Sequence, residues 1–101
     1  LLAVLAAADH AHQVTAGRYD ATALPLWRLW HDPARRTWPT RGEIADAQAL
    51  VAWSAVERTA TVRLTRPGMA LDLGGVGKEW CVDQVLARLV AHGCPDVLVE
   101  L

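Results

Sequence analysis

The longest regular pattern in this chain lies near its end. Val82, Val85, Leu86, Leu89 and Val90 fall at i, i+3, i+4, i+7 and i+8, which puts one apolar stripe along a helix. Gly93 follows as the residue that lets a helix end in a left-handed conformation, and Pro95 blocks any continuation. Residues 1–16 predict a second helix, ending before Gly17, and the stretch from there to about Pro39 reads as irregular, punctuated by Pro25 and Pro33. Thr40-Arg41-Gly42-Glu43 has the capping-box spacing, in which hydroxyl and carboxylate each satisfy a free backbone N–H. The short helix it opens sets Ile44, Ala47 and Val51 on one face. Val56 then leads into a hairpin whose second strand, Thr61–Thr65, alternates cleanly. Arg66-Pro67-Gly68 turns it into a further strand in which Met69, Leu71 and Leu73 share a face and Asp72 points the other way. An apolar strand over 97–101 ends the chain. The order helix, loop, helix, hairpin, helix, strand predicts an α+β fold rather than a doubly wound sheet, with no linker to divide it.

The chemistry of the chain concentrates where the Asp72 strand gives way to the long helix. Gly74, Gly75 and Gly77 remove side chains where the chain turns, and Lys78 stands in the first turn of the helix. Free N–H groups and a cation facing one space suit an anion, most commonly a phosphate or pyrophosphate. Glycine-rich turns also arise simply because a tight turn needs positive φ, and most of those bind nothing. The spacing is neither the G-x-G-x-x-G nor the P-loop pattern, so those nucleotide folds are not supported.

Composition removes several other classes. With 101 residues the chain makes one small domain or part of one, and its net charge of −1 with scattered basic residues gives no nucleic-acid footprint. A hydrophobic content of 52% is high for this length, and predicts apolar patches that call for further segments to cover them. Cys81 and Cys94 are too far apart for a redox C-x-x-C and have no nearby zinc-ligand partners, so both read as ordinary buried thiols. His10 and His12 are two apart on a helix, point to different sides and cannot easily share a metal; they read as structural residues. The tryptophans at 27, 30, 38, 53 and 80 read as packing residues. The amino-terminal LLAVLAAADHAH lacks the basic start of an export signal and is too short to span a bilayer.

Two segments together resemble a known family. Asp72-Leu73-Gly74-Gly75-Val76-Gly77-Lys78-Glu79-Trp80-Cys81-Val82-Asp83 resembles the DLGGIAKGYAVD motif of the FAD:protein FMN transferases, the ApbE flavin transferase family. Upstream, the run from Thr15 to Trp27, TAGRYDATALPLW, resembles that family's SGGAFDPTVGPL stretch, and Leu29-Trp30 matches the Leu-Trp that follows it. The resemblance covers nearly all of the chain but only the middle of a family domain, so it implies a partial domain over residues 1–101, an ApbE-like (T-fold-related) α+β fragment with a mixed sheet and packed helices. The implied activity is a Mg²⁺-dependent transfer of FMN from FAD to a Thr or Ser of an acceptor protein through a phosphoester, with release of AMP. It places flavin-nucleotide contacts on Arg18, Tyr19, Asp20, Asp72 and Lys78, and a backbone-carbonyl Mg²⁺ ligand on Gly75. No catalytic residue is assigned. The family's side-chain metal ligands, an Asp and a Thr, lie in its carboxy-terminal part, so this stretch alone is expected to be inactive.

The residues also admit plainer roles. Tyr19 could be a core aromatic, Asp20 could cap the turn before Pro25, and Lys78 could be a solvated first-turn lysine. The sequence departs from the family pattern at Arg18, at Glu79-Trp80 in place of Gly-Tyr, and at Ala21-Thr22-Ala23-Leu24-Pro25, which lacks a glycine. A flavin-binding or FAD-hydrolysing member, and a remnant that binds nothing, therefore stand beside the transferase. Family members are often exported and lipid-anchored, which makes a periplasmic location the expectation from resemblance.

Overall fold

The structure, a computed structural model, describes residues 1–100. Helix α1 spans Leu2–Val14 and buries Leu5 and Ala8, three apart on one face. It ends in a Schellman arrangement: the Ala16 N–H donates to Gln13 O at 3.0 Å and the Gly17 N–H to His12 O at 2.8 Å. Ala16 occupies the left-handed region at φ +50°, where glycine is the usual occupant.

The stretch expected to be irregular contains a helix, α2, over Leu24–Trp30. Pro25 was the reason for expecting none, but it sits in the first turn, where its missing N–H has no intrahelical partner to lose. Helix α3, Arg41–Gln48, forms as its capping box predicts. Thr40 Oγ1 accepts the Glu43 N–H at 3.2 Å and Glu43 Oε2 accepts the Thr40 N–H at 2.7 Å. Ala47 is buried on this helix, whereas Val51 lies beyond its end.

A single 3₁₀ turn, Trp53–Ala55, feeds an antiparallel hairpin of β1, Val56–Arg58, and β2, Val62–Leu64, in the register Val56↔Leu64. Among the described residues this pair is the whole sheet. The segment 69–73, expected as a strand, forms none; its backbone bond to a distant segment runs from the Asp72 N–H to Ala21 O at 2.7 Å. Residues 97–100 likewise form no strand, and Leu101, the end of that expected element, lies outside the described residues.

The core gathers Leu5 and Ala8 of α1, Ala21, Trp53, Ala55, Val56 and Met69, with Tyr19, Leu71, Leu73 and Val76 packed against it. Asp9 ties the helix to the hairpin: its Oδ1 accepts from Trp53 Nε1 at 2.6 Å and from Arg58 Nη2 at 2.9 Å, with the Arg58 guanidinium 4.5 Å from the Trp53 ring centre. Helix α4, Gly77–Ala91, carries the expected apolar stripe but buries none of it; Val85 and Val90 are 45% and 48% exposed. Its end is the Schellman motif the sequence predicts, with Gly93 at φ +85° and the Cys94 N–H on Leu89 O at 3.0 Å. The radius of gyration is 17.0 Å, against about 13 Å for a compact domain of this length.

Both cysteines are exposed, not buried as expected, because the helix face and loop that carry them are uncovered. Of the tryptophans, Trp53 is a core residue, while Trp27, Trp30 and Trp38 are exposed. Trp30 and Trp38 meet edge to face at 5.9 Å, and Trp27 stacks on His31 at 4.1 Å.

Candidate functional site

Two loops that are distant in sequence meet at one place. The first follows the Schellman turn of α1 and carries Arg18, Tyr19 and Asp20; the second is the glycine turn between Asp72 and α4. Gly75 lies against the Tyr19 ring, and a Cβ built at that position would stand 2.8 Å from Tyr19 Cε2. A side chain at position 75 would force the Tyr19 ring to shift, so the close approach favours glycine. The Asp72 N–H bond to Ala21 O draws the same two loops together.

The carboxylates play different parts. Asp20 is largely used up inside the protein: Oδ1 accepts from the Thr22 N–H at 2.8 Å and from Thr22 Oγ1 at 2.6 Å, and Oδ2 accepts the Trp53 N–H at 3.3 Å. Thr22, fully buried, passes the connection on by accepting the Ala52 N–H at 2.8 Å. This is the turn-capping role the residue pattern alone allowed for Asp20. Asp72 is exposed, and its Oδ1 accepts the Gly74 N–H at 2.8 Å, bracing the glycine turn.

Tyr19 sits between these acids. Burial first, then the charges of Asp72 and Asp20, push its phenol above its ordinary value of 10.0, so it is a neutral hydrogen-bond donor at any physiological pH. Its hydroxyl is buried and has no partner among the described residues. A buried donor left unpaired is costly, which marks the position as one that a ligand or a neighbouring segment completes.

Lys78 extends the site along α4. It is exposed, and with Gly74, Gly77, Leu73, Trp80, Cys81 and Val4 it lines a cavity of about 470 Å³ between α1 and α4. Val76 caps this helix without any side-chain bond to the first-turn N–H groups. The Gly77 N–H is taken by Leu73 O at 2.6 Å, and the Lys78 cation beside the rest of the first turn fits a phosphate group. Arg18 stands apart from these: it is exposed and its Nη1 donates to Thr15 O at 3.4 Å. Thus Tyr19, Asp20, Asp72 and Gly75 are brought together, Lys78 adjoins them through the glycine turn, and Arg18 borders the loop.

A magnesium centre does not follow from these residues. No group of three His, Cys, Asp or Glu side chains that could hold a metal occurs among the described residues, and the Gly75 carbonyl offers a single oxygen.

Two residues at the site escape sequence reasoning. Thr22 was legible in principle, since Asp-x-Thr is a common turn-capping spacing. His12 was not: it contacts Tyr19 and Asp20 only because α1 ends where it does. Its Nδ1 donates to the Tyr19 carbonyl at 2.8 Å and lies 3.8 Å from Asp20 Oδ2.

The chain is similar to known proteins over nearly its whole length. Residues 1–101 match the ApbE family. The FAD:protein FMN transferase of Haemophilus influenzae is 31% identical over 106 residues, covering 97% of this chain and 31% of that protein. The FAD:protein FMN transferase of Treponema pallidum is 42% identical over 41 residues, 41% of this chain and 11% of the relative. Among solved structures, flavin transferase ApbE from Vibrio cholerae superposes with a TM-score of 0.80 at 29% identity, covering 91% of this chain and 31% of that one. The apo flavinyl transferase ApbE of Pseudomonas stutzeri gives 0.78 at 25% identity, covering 89% and 30%. The chain therefore spans 31% of the length of the Haemophilus relative it matches nearly end to end.

Proposed function

Since the chain belongs to the ApbE family, we propose that it forms the flavin-nucleotide-binding part of an FAD:protein FMN transferase. The observation that carries this reading is the Tyr19 ring seated on Gly75, which joins the two family-like segments into one site. In the proposed reaction a Thr or Ser hydroxyl of an acceptor protein forms a new P–O bond to the flavin-side phosphorus of FAD. The bond from that phosphorus to the bridging oxygen breaks, and AMP leaves with that oxygen, the hydroxyl proton passing in net terms to the released phosphate or to water.

The residues divide the work by chemistry. Lys78 and the open first turn of α4 would take the pyrophosphate and offset charge that builds during transfer. Asp72, exposed and with Oδ1 committed to Gly74, would accept from a hydroxyl or ring N–H of the nucleotide through its other oxygen. The Tyr19 hydroxyl would donate to an acceptor atom, and Asp20 would hold the loop that presents it. Arg18 would add positive charge at the rim. Mg²⁺, when bound, would neutralise phosphate charge; Gly75 would offer it one carbonyl oxygen, and its carboxylate ligands would come from outside these residues. As in the wider family, an exported, periplasmic setting is the proposed location; no described helix is long and apolar enough to cross a membrane.

The test is to incubate the full-length protein with FAD, Mg²⁺ and an acceptor protein carrying a Thr or Ser site. Mass spectrometry should show an FMN-labelled acceptor together with AMP. AMP without labelled acceptor would identify an FAD-hydrolysing member instead. Neither product, with FAD fluorescence unchanged on titration, would leave a remnant of the fold without the function.

A further inference from the structure

We propose that His12 is a positioning residue of this site: it fixes the Tyr19 main chain and thereby sets the aromatic ring on the Gly75 turn. Both polar main-chain groups of Tyr19 are held by side chains from the end of α1. The Tyr19 N–H donates to Thr15 Oγ1 at 2.9 Å, and the Tyr19 carbonyl accepts from His12 Nδ1 at 2.8 Å. A carbonyl can only accept, so Nδ1 carries the proton. The same nitrogen faces Asp20 Oδ2 at 3.8 Å, so one imidazole edge spans the main chain of Tyr19 and the side chain of Asp20.

The imidazole is itself confined. Its ring centre is 6.1 Å from that of Trp53, at 31° to it, and the Gly17 turn lies against its Cε1–Nε2 edge. Thr15 is anchored in turn by donating to Ala11 O at 2.8 Å. Precision matters because the Tyr19 ring lies so close to Gly75 that a Cβ there would stand 2.8 Å from Tyr19 Cε2. A small shift of the Tyr19 main chain would drive the ring into the turn or lift it away, and misplacement of about 1 Å in a site can cost as much as 100-fold. His12 lies outside both family-like segments and touches no proposed ligand atom, so it acts through Tyr19. The consequence for flavin rests on the function proposed above.

The experiment compares His12→Asn with His12→Gln in the full-length protein. Asn places an amide nitrogen near the position of Nδ1, whereas Gln places it near Nε2, and both substitutions are polar and of moderate size. One readout is ligand-free: the nuclear Overhauser contact between the Tyr19 ring protons and the Gly75 α-protons. The other is the FAD dissociation constant from flavin fluorescence. His12→Asn should keep the contact and bind FAD within about twofold of the parent, while His12→Gln should lose the contact and bind about tenfold more weakly, the scale of one lost hydrogen bond. Two variants that behave alike, or a lost contact with unchanged FAD affinity, would overturn the proposal. A parent protein that takes up no FAD would remove the flavin reading, and the Tyr19–Gly75 contact would then decide the positioning role by itself.

Discussion

Gly75 and Thr22 are the residues whose replacement the structure penalises for the clearest reasons. A methyl group at position 75 must displace the Tyr19 ring, so Gly75→Ala should destabilise by about 1–3 kcal/mol in urea unfolding and weaken FAD binding. Gly42→Ala is the matched control. Its nearest neighbour would be Thr40 Oγ1 at 4.0 Å, and the change should be neutral or stabilising by up to about 1 kcal/mol. Thr22→Val keeps the shape but removes the hydroxyl, leaving the Ala52 N–H without its acceptor. The expected loss is about 1–3 kcal/mol in the same measurement. Asp20 and Thr22 are two apart, which made their turn readable from spacing; the Ala52 partner is 30 positions away and was not.

At the level of elements, the helix ends are the most local features and followed the sequence closely. The α3 cap needs only Thr40 and Glu43, and Thr40→Ala should cost about 1 kcal/mol of stability. The bond to Arg35, then those to Thr40, lower the Glu43 carboxyl from its ordinary 4.5 to about 2. A group depressed on folding stabilises the native state above its unfolded value. That contribution is therefore complete above about pH 4.5, declines as pH falls, and is gone below about pH 2. Glu43→Gln should flatten the stability profile across that window in acid titration of the thermal midpoint. The effect is modest because the pair is open to water. Pro25 shows where local reading failed: proline is a breaker inside a helix but welcome in its first turn, and only the placement of the helix start separates the two.

For the whole molecule, the decisive fact is how much apolar surface stays open. The accessible area is 7215 Å², whereas a compact globule of this mass exposes about 5,600 Å². The stripe on α4 and the exposed Trp27, Trp30 and Trp38 account for the kind of surface involved. Residues 1–101 produced alone should bind 8-anilinonaphthalene-1-sulfonate and self-associate in sedimentation, and Val85→Glu with Val90→Glu should reduce both. A dye-silent, monomeric chain would show that α4 folds back over the core in solution. The 52% hydrophobic content pointed to such patches, but not to which helix would carry them.

The sequence by itself determined what depends on neighbours within a turn or two: the α3 cap, the Gly93 stop, the amphipathic period of α4, the hairpin and the glycine turn that precedes Lys78. It also carried the two family-like segments, because motif residues are recognised one by one. Only the tertiary structure decided which of the tryptophans enters the core, why position 75 favours glycine, and that His12 holds Tyr19. Those outcomes depend on the relative placement of separate elements, as in the Trp53 bond to Asp9 across 44 positions. Chain connectivity does not specify such contacts residue by residue; the close packing that brings distant loops within hydrogen-bonding reach does.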